Sequence, residues 1–235
     1  MLYGPQNGYF DLVFELPAEC ARSLEGGSAA LGLVPIIEIF RQNLEVASDV
    51  CISSDGPVRS IYLLHRKALR EIRSVALDSS SRTSVALMRI LLAERYGVKP
   101  VEHQASPDVS AMLAHADAAV LIGDPALKLN LTGGDFERLD LGEEWKRLTG
   151  LPMVYAAWAG RSGQVPEAAG STFRNSYEWG KSHLWEIIEK ESERRGLPAA
   201  LAADYLTQRI RYELDGNARN GMRDFERLAR VHGLL

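Results

Sequence analysis

Long apolar runs, metal-ligand clusters and nucleophile motifs are all missing from these 235 residues. No stretch reaches the roughly 18 consecutive apolar residues of a membrane span, and the opening MLYGPQNGYF has neither the basic nor the apolar region of a secretion signal. Cysteine is scarce. Cys20 and Cys51 are the only two and form no CxxC, so reduced thiols in a cytoplasmic protein are the simpler expectation, although two cysteines could pair. The five histidines, His65, His103, His115, His183 and His232, share no metal-ligand spacing, so no metal is expected. GxSxG, HExxH, GxGxxG and P-loop patterns are absent, which leaves triad hydrolases, zincins and the common nucleotide enzymes without support. There is no basic run, the aromatics are not interleaved with Lys and Arg, and the net charge is −4, so no nucleic-acid partner is expected. Nothing specifies an oligomer.

What is present is the composition of a soluble globular protein, 46% hydrophobic and 25% charged. The length suits one domain or two lobes. Short apolar runs bounded by Gly, Pro and polar turns read as buried strands: 10–16, 29–34, 46–52, 58–65, 75–77, 101–103, 118–122 and 152–159. Between them lie helical patterns: Ala18 to Glu25 behind Pro17, Ile36 to Gln42 behind Pro35, a turn at 68–72, Arg82 to Tyr96 stopped by Gly97, Pro107 to Ala114, and a segment over 139–149 closed by Gly150. From Glu167 onward strand-like runs almost vanish, and 182–195, 199–214 and 221–231 read as three helices. Strands alternating with helices and a helical end make an α/β protein with parallel-type crossovers.

The stretch from Ser74 to Gly97 carries the first functional signal. A buried strand runs into Asp78-Ser79-Ser80-Ser81 and then into a helix entered at Arg82-Thr83-Ser84. Free N–H groups and the dipole at such a helix start suit a carboxylate or phosphate. Hydroxyl residues there are more often plain caps, so alone the stretch favours capping. Polar residues recur at other strand ends: Ser60, Gly123-Asp124 and Tyr155. Glu38 reads either as a helix-start acid or as a residue facing the crevice at the strand ends. Small hydroxyls and backbone donors at several strand ends suit an anionic organic ligand, which supports a cleft without naming a reaction.

Five blocks in one order add to this reading: Ala29-Ala30-Leu31-Gly32-Leu33-Val34-Pro35 with Glu38, Asp55-Gly56-Pro57-Val58-Arg59-Ser60, Ser80-Ser81-Arg82-Thr83-Ser84, Ala116 to Leu127, and Trp145 through Thr149-Gly150-Leu151-Pro152 to Trp158. In these blocks, over about residues 9–160, the chain resembles the chorismate dehydratase family of the futalosine route to menaquinone. The resemblance implies a two-lobed fold of the type 2 periplasmic-binding-protein kind. One lobe would hold residues 1–58 and 159–235, the other 59–158, with the ligand between them. It also implies dehydration of chorismate to 3-[(1-carboxyvinyl)oxy]benzoate without a cofactor. Carried over by position, Ser60 becomes the catalytic candidate, Ser81, Thr83 and Ser84 a carboxylate cradle, and Gly123, Asp124 and Tyr155 further substrate-binding candidates. Asp124 reads equally as a turn-forming residue before Pro125.

Family members begin with a strand and an aromatic-Leu-Asn segment whose asparagine belongs to the site. Here Met1-Leu2-Tyr3-Gly4 matches the stretch just after it, and Asn7 lies in the following loop. The expectation is therefore either a shortened chain or a variant that binds without turnover, with one sheet edge left open. Two other readings stay open on the same fold. One is a binding module for a small carboxylic or aromatic acid; the other is the sister enzyme that forms 1,4-dihydroxy-6-naphthoate, whose expected histidine chemistry the sequence lacks.

Overall fold

In the computed structural model, residues 4–78 and 82–235 are described. In chain order they form α1 (Pro17–Glu25), β1 (Leu31–Pro35), α2 (Ile36–Arg41), β2 (Leu44–Ser54), β3 (Ile61–His65), β4 (Ser74–Asp78), α3 (Arg82–Leu91), β5 (Val101–Ala105), α4 (Val109–His115), β6 (Ala118–Ile122) and α5 (Gly123–Leu129). There follow β7 (Glu137–Asp140), α6 (Leu141–Thr149), β8 (Met153–Arg161), α7 (Ala169–Ser182), α8 (Leu184–Arg195), α9 (Ala199–Asp204), β9 (Arg211–Glu213) and α10 (Gly216–Val231). The strands make two sheets, one ordered β1-β8-β2-β9 and the other β5-β4-β6-β3-β7.

The second sheet explains why its strands read as unbroken apolar runs. Val75, Leu77, Leu63 and Val120 point into one core with Leu87, Met88 and Leu91 of α3. Their neighbours Ala76, Tyr62, Leu64, Ala119 and Leu121 point the other way, against Met112 and Leu113 of α4. With helices on both faces, β3 is buried throughout and β4 and β6 along all but one residue, so period-2 alternation disappears in these three strands. Parallel pairing is confined to β4 with β5 and β6; β3 pairs antiparallel with β6 and β7, and every pair in the first sheet is antiparallel. The expected parallel crossovers thus describe only part of a mixed architecture.

The first sheet packs Val34, Cys51, Val154 and Ala157 on the side of Phe225 and Leu228 from α10. On the α7 side, Trp158 stacks on Phe173 at 4.2 Å between centroids. Burial pushes the Cys51 thiol up to about 11, the inert interior thiol that its apolar strand suggests. The two chain crossings between sheets leave side by side, because Ser54 pairs with Met153 at the ends of β2 and β8. Gly142 sits in this junction. A Cβ there would lie 2.6 Å from the Tyr155 hydroxyl and 2.7 Å from the Gly56 carbonyl oxygen, so the crossings approach this closely only with glycine.

Several expectations change. Residues 10–16 are irregular rather than a strand, with Val13, Phe14 and Leu16 exposed, because among the described residues no strand lies beside them to complete a ladder. Val58 to Ser60 precede β3 instead of belonging to it, since Arg59 adopts φ 60°. Gly123-Asp124-Pro125 is the first turn of α5, not a free-standing turn. β8 lies wholly in the first sheet, so the return crossing comes before Met153 and the 158/159 boundary falls inside a strand. Among the described residues no helix is long and apolar enough to cross a membrane.

Asp117 ties the second sheet together at the start of β4 and β6. Its carboxylate accepts from Lys67 Nζ at 2.6 Å and from the backbone N–H groups of Arg73 and Ser74 at 2.8 and 3.2 Å, led by the lysine, and these hold its pKa below the ordinary value. A depressed carboxylate contributes stability that is present above its unfolded pKa, about 3.9, and is lost as pH falls through the folded value. The expected outcome is that Asp117→Asn melts below the wild type at pH 7, and that calorimetry finds this gap closing below about pH 4.

Candidate functional site

The antiparallel pairing of Ile61 with Ile122 brings the residues preceding β3 and following β6 face to face. Gly123, in the left-handed region at φ 65°, donates its N–H to the Ser60 carbonyl at 2.9 Å. Arg59, immediately before Ser60, also holds a left-handed conformation, which costs a residue with a Cβ roughly 1–2 kcal/mol. Its surroundings offset that cost. The Arg59 N–H donates to Asp140 Oδ2 at 2.7 Å, Asn130 Nδ2 donates to the Arg59 carbonyl at 2.9 Å, and the guanidinium reaches Asp204 at 3.3 Å.

Asp140 is the centre of this clasp. Its Oδ1 accepts from the N–H groups of Val58, Gly142 and Glu143 at 3.1, 2.9 and 3.1 Å while Oδ2 takes Arg59, so one carboxylate caps α6 and shapes the approach to Ser60. Burial raises its pKa, and the four backbone donors oppose the rise. Asp140 escaped the sequence reading although Glu143 follows it at the spacing of a capping box.

Ser60 is 3% exposed, and its Oγ lies 3.1 Å from the hydroxyl of Tyr205. Tyr205 comes from the helical end of the chain, inside the 199–214 stretch that reads as one helix in the sequence. Burial raises the phenol pKa, the Ser60 contact opposes this, and the charge of Asp124 adds to it. Asp124 itself pairs with Arg195 of α8 at 2.9 Å. Tyr155 is buried, which raises its pKa strongly; its hydroxyl lies 2.8 Å from Ser54 Oγ, and Asp140 and Tyr205 both act on it electrostatically.

The expected cradle is reached from the same strand. Thr83 Oγ1 donates to the Tyr155 carbonyl at 3.1 Å, fixing the start of α3 against β8, and Ser84 beside it in sequence is buried. Ser81 lies outside the described residues. Glu38, 3% exposed, meets Arg41 at 2.8 Å and Arg82 at 3.2 Å, so it links α2 to the first turn of α3. Of the expected residues, Ser60 meets Tyr205 directly and Gly123 holds the Ser60 backbone, Asp124 acts on the phenol through its charge, and Tyr155 bonds Ser54 with its hydroxyl and Thr83 with its carbonyl. A cavity of about 580 Å³ lies elsewhere, walled by Tyr177, Leu184, Ile187, Leu206, Ile210 and Tyr212, and contains none of these residues. Among the described residues no three His, Cys, Asp or Glu side chains converge as metal ligands would.

Comparison with known proteins covers nearly the whole chain. A family model described as menaquinone biosynthesis matches residues 1–231. A chorismate dehydratase from Thermus thermophilus is 32% identical over 234 residues, spanning 92% of this chain and 85% of that one. Among solved structures, a protein from Archaeoglobus fulgidus superposes with a TM-score of 0.77 at 14% identity over 100% of this chain and 93% of its own. The alkanesulfonate-binding protein of Xanthomonas axonopodis pv. citri, bound to MOPS, gives 0.65 at 18% identity over 94% and 82%. At those identities the solved structures speak for the fold alone, an α/β architecture of the periplasmic-binding-protein kind.

Replacing Asp140 with alanine strands four N–H groups at the crossing. Urea unfolding is expected to show a loss of about 3 kcal/mol, the sum of a lost cap and buried donors left without partners.

Proposed function

The chain belongs to the menaquinone biosynthesis family, and from that premise we propose that it is a cytoplasmic chorismate dehydratase, a carbon–oxygen lyase that turns chorismate into 3-[(1-carboxyvinyl)oxy]benzoate and water. The observation that carries this reading is the likeness to the Thermus thermophilus enzyme along 92% of the chain. We take residues 4–57 and 152–235 as the lobe around the first sheet and 58–151 as the lobe around the second, with the substrate held between them.

The reaction takes a hydroxyl and a neighbouring hydrogen from the ring and leaves an aromatic ring, so its driving force resides in the substrate. The protein has to bind a dianion, align the leaving hydroxyl and keep bulk water out. Ser60 is the catalytic residue of the proposal, and its role is to donate a hydrogen bond to the leaving oxygen. The N-terminus of α3, with Thr83 and Ser84, offers backbone donors and a favourable dipole to one carboxylate. Arg195 neutralises Asp124, so this carboxylate does not repel the substrate. Gly123 spends its N–H on Ser60, and Tyr155 spends its carbonyl on Thr83; both therefore hold the binding groups in place. The reaction in this form uses no metal or organic cofactor.

Purified protein incubated with chorismate is expected to yield the enolpyruvyl benzoate, seen by chromatography as a new peak that grows as chorismate is consumed. Chorismate that stabilises the protein in a thermal-shift assay yet remains intact would instead favour a binding module. Ser60→Ala should lower kcat by at least about 100-fold, the scale of a lost proton donor in the reacting complex; undiminished turnover would remove the serine from the mechanism.

A further inference from the structure

The segment from Arg195 to Arg209 belongs in sequence to the helical end of the chain, yet it reaches across to the second sheet. Arg195 pairs with Asp124 at the start of α5. Asp204, the last residue of α9, pairs with Arg59 at 3.3 Å and is gripped by Arg209 through two contacts at 3.0 and 2.9 Å. Between these anchors a π-helical turn runs over Tyr205–Arg209, with Ile210 donating to the Tyr205 carbonyl at 3.1 Å, before β9 returns to the first sheet. Such turns concentrate at functional sites because they rotate one side chain out of helical register. Here the side chain so placed is Tyr205, whose hydroxyl meets Ser60 Oγ at 3.1 Å.

A serine hydroxyl has one hydrogen to give. If Ser60 donates to the phenol, that hydrogen is unavailable to a substrate. If the phenol donates, the serine hydrogen is free to turn toward the leaving oxygen. Burial favours the protonated phenol, which keeps Tyr205 a donor at neutral pH. On the reading that the chain dehydrates chorismate, we propose that Tyr205 is the positioning residue for Ser60: its hydroxyl donates to Ser60 Oγ and aims the serine's own hydrogen at the ring hydroxyl of the substrate. The strap that carries it makes this alignment depend on the helical end of the chain and the second sheet together.

The test is a kinetic cycle on the full chain with Tyr205→Phe, Ser60→Ala and the double variant, chorismate being the substrate. Tyr205→Phe keeps the ring and is expected to lower kcat about tenfold, the effect of one lost hydrogen bond, with KM within about twofold of the wild type. Because Tyr205 acts through Ser60, the double variant should be no slower than Ser60→Ala alone. Asp204→Asn loosens the strap without touching the hydroxyl, and should lose part of kcat in the same sense. A wild-type kcat in Tyr205→Phe would overturn the inference, as would a Tyr205 effect that adds in full on top of Ser60→Ala. A wild-type chain that leaves chorismate untouched would remove the proposed function, and this inference with it; active wild type with indifferent Tyr205 variants would remove the inference alone.

Discussion

One buried carboxylate organises the junction of the two sheets. Asp140 leaves water to take four backbone N–H groups, two from the segment entering β3 and two from the first turn of α6. Desolvating a carboxylate is costly, and that many donors offset the cost only if the backbone is held where they converge. The conformation of Val58 and Arg59 is thus set by a residue about eighty positions later. The left-handed Arg59 follows from this clasp and from Asn130, and the direction in which Ser60 points follows from Arg59.

The rest of the site is arranged around that fixed point. The two crossings run side by side at Ser54 and Met153, with Gly142, Ser54 and Tyr155 packed where any added carbon would collide. Trp145 of α6 is fully buried, donates to the Pro152 carbonyl at 3.1 Å and meets Phe225 of α10 edge-on at 6.0 Å, which carries the apolar core continuously from one sheet to the other. Charges bridge the same gap. Asp55 receives Lys146 at 2.5 Å and Arg211 at 3.0 Å, and Glu38 receives Arg82. A junction tied at this many points can hold hydroxyls from several elements within reach of one small ligand.

The histidines illustrate why scattered polar residues carried little meaning alone. His232 contacts Glu94 at 2.7 Å, His183 stacks on Trp179, and His65 Nδ1 lies 2.9 Å from the Lys67 carbonyl oxygen. Each of these three is engaged by a neighbouring side chain or carbonyl. Ser60 and Tyr155 differ in that each bonds a hydroxyl distant in sequence, Ser60 that of Tyr205 and Tyr155 that of Ser54.

Local patterns were enough for much of this. Apolar runs of strand length, Pro17 and Pro35 ahead of helices, and Gly97 and Gly150 behind them depend on each residue's own conformational preference, so they are legible in order along the chain. The five blocks were legible as a resemblance to a family, and Ser60 lies in one of them. Other features depend on neighbours distant in sequence. Residues 10–16 have the composition of a strand, but strands exist only in pairs, and none of the described strands lies beside them. β9 is three residues long and forms only because β2 presents an edge to it. In the sequence Asp140 falls unremarked in the helical segment 139–149, and Tyr205 inside the helix read over 199–214. What the sequence by itself determined was where most strands and helices arise and which hydroxyls sit at their ends, since these follow from local sterics and burial. Only the tertiary structure decided that Asp140 shapes the chain before Ser60 and that Tyr205 reaches it, because hydrogen bonds between groups about 80 and 145 residues apart are set by packing and not by sequence spacing.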